Sequence, residues 1–179
     1  MNKDIDRIFF TEEQIKEKVK ELGAQLTRDY EGKNPLVIGV LKGAFVAMAD
    51  IVRSIDTECE VEFMAVSTYG LGTTSSGQIN ITRDLGVSIE NRHVIIIEDV
   101  LDSGVTLSYL KSYLLNRKPA SLAICAFIDK PARRKSDIQP DYVGFADCPD
   151  EFIVGYGLDY AEKYRNLPYI GVLKPELYE

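Results

Sequence analysis

The chain has 179 residues, 45% of them apolar and 27% charged, enough for one domain with a sizeable core and too few for two ordinary ones. Its formal net charge of −7 argues against a general nucleic-acid or membrane-surface binder, which usually carries a basic face. No apolar run approaches the roughly 18 residues needed to span a bilayer, the start MNKDIDRIFF lacks a secretory h-region, and Cys59, Cys125 and Cys148 suit neither a disulfide framework nor a zinc site. A reduced, cytoplasmic protein is expected.

Thr11 and Gln14 form a T-x-x-Q capping box, and Ile15, Val19, Leu22 and Leu26 then recur at helical spacing. Gly32 and Pro35 close that helix and introduce LVIGVL, Leu36 to Leu41, a buried strand. AFVAMADIVRSI after Gly43 reads as a helix by propensity and length. Glu58 to Val66 reads as a strand, with Val61, Phe63 and Ala65 on one face. A polar, glycine-rich stretch runs from Thr68 to Gln78, and Val94 to Ile97 is a second buried strand. Val105 to Leu115 is a helix and Ser121 to Ile128 a further strand. This rhythm predicts an α/β fold, a central parallel sheet flanked by helices. YVGFAD, FIVGYGLDY and YIGVL then give short, glycine-punctuated strands and turns.

Chemistry concentrates in VIIIEDVLDSGVTL, Val94 to Leu107. Ligands of open parallel sheets sit beyond the carboxyl ends of the strands, where Glu98 and Asp99 are expected. The helix after Gly104 starts there too, and its first amides bind phosphate without needing a cation. Ser103 and Thr106 add hydroxyl donors. Acids beside an anion loop make sense if the ligand also carries a ribose diol, or if they attract magnesium. They could equally be plain helix caps, and the spacing is neither a Walker loop nor G-x-G-x-x-G.

The stretch resembles the phosphoribosyl-pyrophosphate signature of the type I phosphoribosyltransferases: a hydrophobic run, two acids, two hydrophobics, then D-[ST]-G-x-T. LKG at Leu41 to Gly43, STYG at Ser67 to Gly70, DKPARR at Asp129 to Arg134 and FIVGYGLDYAEKYRNLPYIGVLKPE from Phe152 to Glu176 resemble the hypoxanthine-guanine branch in its short bacterial form. The resemblance covers nearly the whole chain. It implies a single phosphoribosyltransferase domain over 1–179, with a core of about 30–140. A hood would come from about 141–179 with the N-terminal segment, and an active-site loop would be mobile. The implied reaction displaces pyrophosphate from phosphoribosyl pyrophosphate with N9 of hypoxanthine or guanine.

By motif match, Glu98 and Asp99 hold the ribose hydroxyls, directly or through Mg2+. Asp102, Ser103, Gly104, Val105, Thr106 and Leu107 wrap the 5′-phosphate. Asp102 also sits near purine N7 as general acid/base and stabilises charge developing on the ribose. Lys42 and Gly43, in a loop that often carries a non-proline cis peptide, take pyrophosphate together with Arg165. Lys130 donates to purine O6, Phe152 stacks on the ring, and Ile153 contributes backbone nearby. Asp159 matches the acid of a second magnesium. Ser67, Thr68 and Tyr69 open a lid reaching Gln78. Arg133, Arg134 and Lys135 are expected as a solvated or subunit-contact cluster, His93 carries no chemistry, and Cys148 is a small hydrophobe. The family implies a homodimer or homotetramer with small-molecule substrates and no nucleic acid or membrane partner. A xanthine-preferring relative, and an RNA-binding pyrimidine-operon regulator of similar fold, are the competing readings.

Overall fold

A computed structural model describes residues 3–69, 78–146, 148 and 150–178. Strands β1 (Ile5–Phe10), β2 (Leu36–Leu41), β3 (Glu60–Tyr69), β4 (Gln78–Arg83), β5 (His93–Leu101), β6 (Ser121–Asp129), β7 (Tyr142–Phe145), β8 (Ile153–Val154) and β9 (Ile170–Leu173) alternate with helices α1 (Glu12–Tyr30), α2 (Phe45–Ser54) and α3 (Val105–Leu115). The main sheet has the order β4-β3-β2-β5-β6-β7, and a small second sheet has the order β1-β9-β8. Within the main sheet, β2, β3, β5, β6 and β7 run parallel, and β4 is antiparallel to β3.

The continuous apolar runs of β2 and β5 follow from burial on both faces. Ile95 and Ile97 pack toward α1 and α2, with Leu22, Leu26 and Ile51. Val94 and Ile96 pack toward α3, with Leu107, Leu110 and Leu114. The capping box fixes where α1 starts: the Thr11 hydroxyl accepts from Gln14 N–H, and the Gln14 side chain accepts from Thr11 N–H at 2.8 Å. The second helix is shorter than its sequence suggests, Phe45 to Ser54.

Several expectations shift. β3 starts later than Glu58 and runs on to Tyr69, so Ser67–Tyr69 are strand residues paired with β4, not loop. Residues 70–77 of the expected lid lie outside the described residues. The face assigned to Val61 is not uniform: Val61 is 52% exposed, while Phe63 and Ala65 on the same face are half-buried. β1 and β4 do not show in the sequence reading. β7 joins the main sheet beside β6, so that sheet extends past residue 141.

One topological detail positions the site. β2 connects on to β3 on one side, whereas β5 connects to β6 on the other, so the β2/β5 junction is a switch point. Their pairing reaches only Gly39↔Ile97. Beyond it, β2 continues with β3 to Leu41↔Ala65, and β5 continues with β6 to Leu101↔Asp129. The two strands splay at their carboxyl ends and leave a crevice.

Candidate active site

Glu98, Val100 and Asp102 lie along the end of β5, past the point where β2 has left it. All three line a cavity of about 180 Å³ that also takes in Gly43, Gly104, Thr106 and Leu107. A neighbouring cavity of about 130 Å³ is lined by Lys130, Arg133, Glu151, Phe152, Ile153 and Leu158, and again by Val100 and Asp102. Ligand pockets usually occupy roughly 300–1,000 Å³, so each half alone is small for a nucleotide. Their shared wall at Val100 and Asp102 makes them two rooms of one cleft.

The first room is built for an anion. Gly104 caps α3 with φ of 74° and, lacking a side chain, gives no capping hydrogen bond to the first-turn amides, of which Val105 N–H reaches the Ser103 hydroxyl at 3.5 Å. A Cβ here would lie 2.5 Å from both Ile138 and Ser136, and only glycine fits this approach. The Asp102 carboxylate accepts from Ser103 N–H at 2.5 Å, which turns the acid back along the loop toward the second room. Across the crevice, the Leu41–Lys42 peptide is cis. Gly43 packs on Asp99 so closely that a Cβ would fall 1.8 Å from its Oδ2.

Glu98 and Asp99 were expected as a pair at the carboxyl end of the strand. They lie inside β5: Glu98 lines the first room and Asp99 sits beneath the Lys42–Gly43 loop, with the two side chains in hydrogen-bonding contact. Burial, then the Asp99 charge, holds the Glu98 carboxyl well above the usual carboxylate range. Burial also raises Asp99, opposed by hydrogen bonding from Glu98 and from Val100 N–H at 2.9 Å. Glu98 Oε2 is buried without a hydrogen-bond partner. A carboxyl whose folded value is raised contributes stability below its unfolded value and loses it as pH rises through the folded one. Glu98→Gln is therefore expected to raise the melting temperature at neutral pH and flatten its decline above pH ~4.5, the ordinary glutamate range. Thermal scans of the metal-free protein across pH check this; an unchanged pH profile would remove Glu98 as the source.

The second room has a buried cation. Lys130 is 5% exposed, and its Nζ donates to the Glu151 carbonyl at 2.7 Å. Burial pulls its pKa down. Phe152 faces this room and is backed by Tyr178, whose ring stacks on it at 4.9 Å. Ile153 lies at the wall, 7% exposed.

The small sheet brings a third set of groups to the crevice. The turn after β8 packs Gly157 on the Gly43 carbonyl, and the Tyr156 hydroxyl donates to Asp50 of α2 at 2.8 Å. Arg165 donates to the Gly157 carbonyl at 2.8 Å and pairs with Asp159 at 2.9 Å. Glu162 bridges the two cations expected for pyrophosphate, Lys42 at 3.1 Å and Arg165 at 3.5 Å. Asp159 also accepts from Glu162 N–H at 2.8 Å, so its carboxylate is occupied by the chain itself. Among the described residues, no group of three or more His, Cys, Asp or Glu gathers as a metal cluster; Asp159 does not join Glu98 and Asp99.

This arrangement of splayed strands, an open amide turn and a hood can be set beside known proteins. A family model described as a phosphoribosyl transferase domain matches residues 9–161. The chain belongs to the phosphoribosyl transferase family. It is 56% identical to the hypoxanthine-guanine phosphoribosyltransferase of Bacillus subtilis over 179 residues, covering 100% of this chain and 99% of that one. It is 54% identical to the bifunctional protein TilS/HprT of Listeria monocytogenes over 178 residues, 99% of this chain, and it spans 27% of the length of that relative. A crystal structure of a hypoxanthine phosphoribosyltransferase from Staphylococcus aureus superposes with a TM-score of 0.94 at 53% identity, covering 98% of this chain and 95% of that one.

Within this phosphoribosyl transferase cleft, the structure brings together Gly43, Glu98, Asp102, Gly104, Thr106, Leu107, Lys130, Phe152 and Ile153 as cavity walls. Ser103 and Val105 belong to the same turn, and Lys42 and Arg165 meet at Glu162. The sequence reading missed Val100, Glu151 and Leu158; the two-residue alternation Glu98, Val100, Asp102 is a signal that could have found the first. It also misjudged one basic residue. Arg133 fits expectation as an exposed partner of Asp150, but the Arg134 side chain is only 10% exposed and paired with Asp129. No described helix is long and apolar enough to cross a membrane.

Proposed function

We propose that this chain transfers the 5-phosphoribosyl group from phosphoribosyl pyrophosphate to N9 of a 6-oxopurine, hypoxanthine or guanine, giving IMP or GMP and pyrophosphate. The observation that carries this reading is the divided cleft: an open amide turn on one side of Asp102, a buried lysine and a backed aromatic ring on the other. The amides of Ser103 to Leu107 and the Thr106 hydroxyl hold the 5′-phosphate. Lys130 donates to O6 and so favours an oxo over an amino group, Phe152 and Val100 sandwich the base, and Ile153 closes the wall. Lys42, Gly43 and Arg165 receive pyrophosphate.

As the C1–pyrophosphate bond breaks and the N9–C1 bond forms, positive charge grows on the ribose, and the Asp102 carboxylate stabilises it from close range. The purine proton leaves toward the same carboxylate. The resemblance supports Mg2+ as cofactor, and the hard-oxygen acids Glu98 and Asp99, with Glu98 Oε2 buried and unpartnered, fit a cation that takes one or two carboxylates plus substrate oxygens. When bound, Mg2+ supplies charge neutralisation for the pyrophosphate leaving group. Asp159, held by Arg165, fits a second ion only if that pair opens. Residues from Ser67 to Gln78 would close over bound substrates and keep water from the activated ribose. A cytoplasmic homodimer or homotetramer is the assembly this reading implies.

The experiment is a base panel: hypoxanthine, guanine, xanthine and adenine, each with phosphoribosyl pyrophosphate and Mg2+, following nucleotide formation. Turnover of hypoxanthine or guanine with none of adenine is expected; xanthine as the best substrate would shift the specificity, and no turnover of any base would overturn the reading. A second result concerns Glu162, whose carboxylate occupies the two cations assigned to pyrophosphate. Exposed ion pairs are weak, so Glu162→Gln is expected to tighten pyrophosphate binding by up to about fivefold. Calorimetric titration checks it, and weaker binding in the variant would show that Glu162 assists rather than competes.

A further inference from the structure

The 129–138 segment leans on the phosphate turn from behind, and Arg134 is its centre. Its Nε donates to the Asp102 carbonyl at 3.0 Å, Nη1 to the Ile138 carbonyl at 2.6 Å, and Nη2 reaches the Leu101 carbonyl at 3.5 Å. Nη2 also pairs with the Asp129 carboxylate, and the two side chains are only 10% and 12% exposed. Adjacent backbone joins the same brace: Lys135 N–H donates to the Ser103 carbonyl and Lys130 N–H to the Leu101 carbonyl, both at 2.9 Å. A buried ion pair is weak evidence for stability, because desolvation offsets most of its attraction. What the pair does provide is direction: a planar fork with donors at fixed angles holds several carbonyls in one orientation.

We infer that Arg134, set by Asp129, is a positioning residue that aims the 5′-phosphate turn and ties it to the strand end carrying Lys130. A peptide plane whose carbonyl is pulled back toward Arg134 points its N–H forward. Fixing the Leu101 and Asp102 carbonyls therefore sets the direction of the Asp102 and Ser103 amides, the second of which is held by the Asp102 carboxylate at 2.5 Å, and so fixes the Asp102 side chain over the shared wall. The brace lies on the side of the cleft away from Lys42, Gly43 and Arg165, so it acts on the monophosphate end of the ligand and not on the pyrophosphate end. This rests on the function proposed above, and the test separates the two.

The affinities of IMP and of pyrophosphate, each with Mg2+, are measured by calorimetry for wild type, R134M and R134K. Loss of charge-assisted hydrogen bonds predicts that R134M weakens IMP about tenfold or more while pyrophosphate stays within about twofold. R134K, which keeps the charge but not the fork, should show the same selective loss in smaller measure. IMP binding within about twofold of wild type in R134M, or equal proportional loss of both ligands, would overturn the inference. If R134M does not fold, the ratio of the two affinities in R134K decides: a fall supports the brace and an unchanged ratio overturns it. Wild type that binds no IMP would bring down the functional reading and this inference with it.

Discussion

Asp102→Asn is expected to lower turnover at saturating substrates by roughly 100-fold or more, the usual scale for a lost acid/base. The structure makes this substitution a clean probe. The carboxylate accepts from Ser103 N–H at 2.5 Å, and an asparagine carbonyl oxygen can accept the same bond, so the turn keeps its shape. What disappears is the negative charge that the proposed function sets against the ribose, and with it the carboxylate that would take the proton of the base. Because the substitution keeps the shape of the wall that both rooms of the cleft share, the loss should fall on turnover and leave the affinity for either substrate nearly unchanged. Steady-state kinetics with both substrates varied will show this; wild-type turnover in the variant would remove Asp102 from the chemistry.

The second large effect belongs to Lys130. Lys130→Ala is expected to cost about 1–3 kcal/mol in catalytic efficiency with hypoxanthine, the scale of a lost hydrogen bond to a charged group. The ammonium is buried, desolvated and already bonded to the Glu151 carbonyl, so it has shed most of its water before any base arrives. Its removal leaves the Glu151 carbonyl unpartnered and the O6 position without a donor. The backbone should hold, because Lys130 N–H still donates to the Leu101 carbonyl at 2.9 Å. Measuring kcat/KM for hypoxanthine and adenine in both proteins gives the answer: the preference for the oxo base should narrow, and equal efficiency with hypoxanthine before and after would contradict the assignment.

Much of the main sheet could be read in the letters because strands buried on both faces have no polar side to interrupt them, and VIII and LVIGVL are such runs. The start of α1 was legible through a local device, the Thr11–Gln14 box. β1 escaped because IDRIFF shows no two-residue alternation, and its partner β9 lies at the other end of the chain. The acids caused a different miss. Charged residues after an apolar run read as a strand end, yet Glu98 and Asp99 remain in β5 because β2 has already turned away and the crevice receives them. Arg134 shows the limit of reading charge from composition: RRK looks solvated, and only the fold reveals that its middle residue reaches inward to carbonyls more than 30 positions away in sequence.

The central claim is that one turn divides its work, with amides after β5 holding the sugar's phosphate while Glu98 and Asp102 look onto the sugar and base. A crystal structure of the chain with IMP and Mg2+ tests it most directly. The account predicts the phosphate on the Ser103–Leu107 amides and the base between Val100 and Phe152, with O6 at Lys130. A phosphate seated anywhere else, or a base outside the Lys130 room, would contradict it.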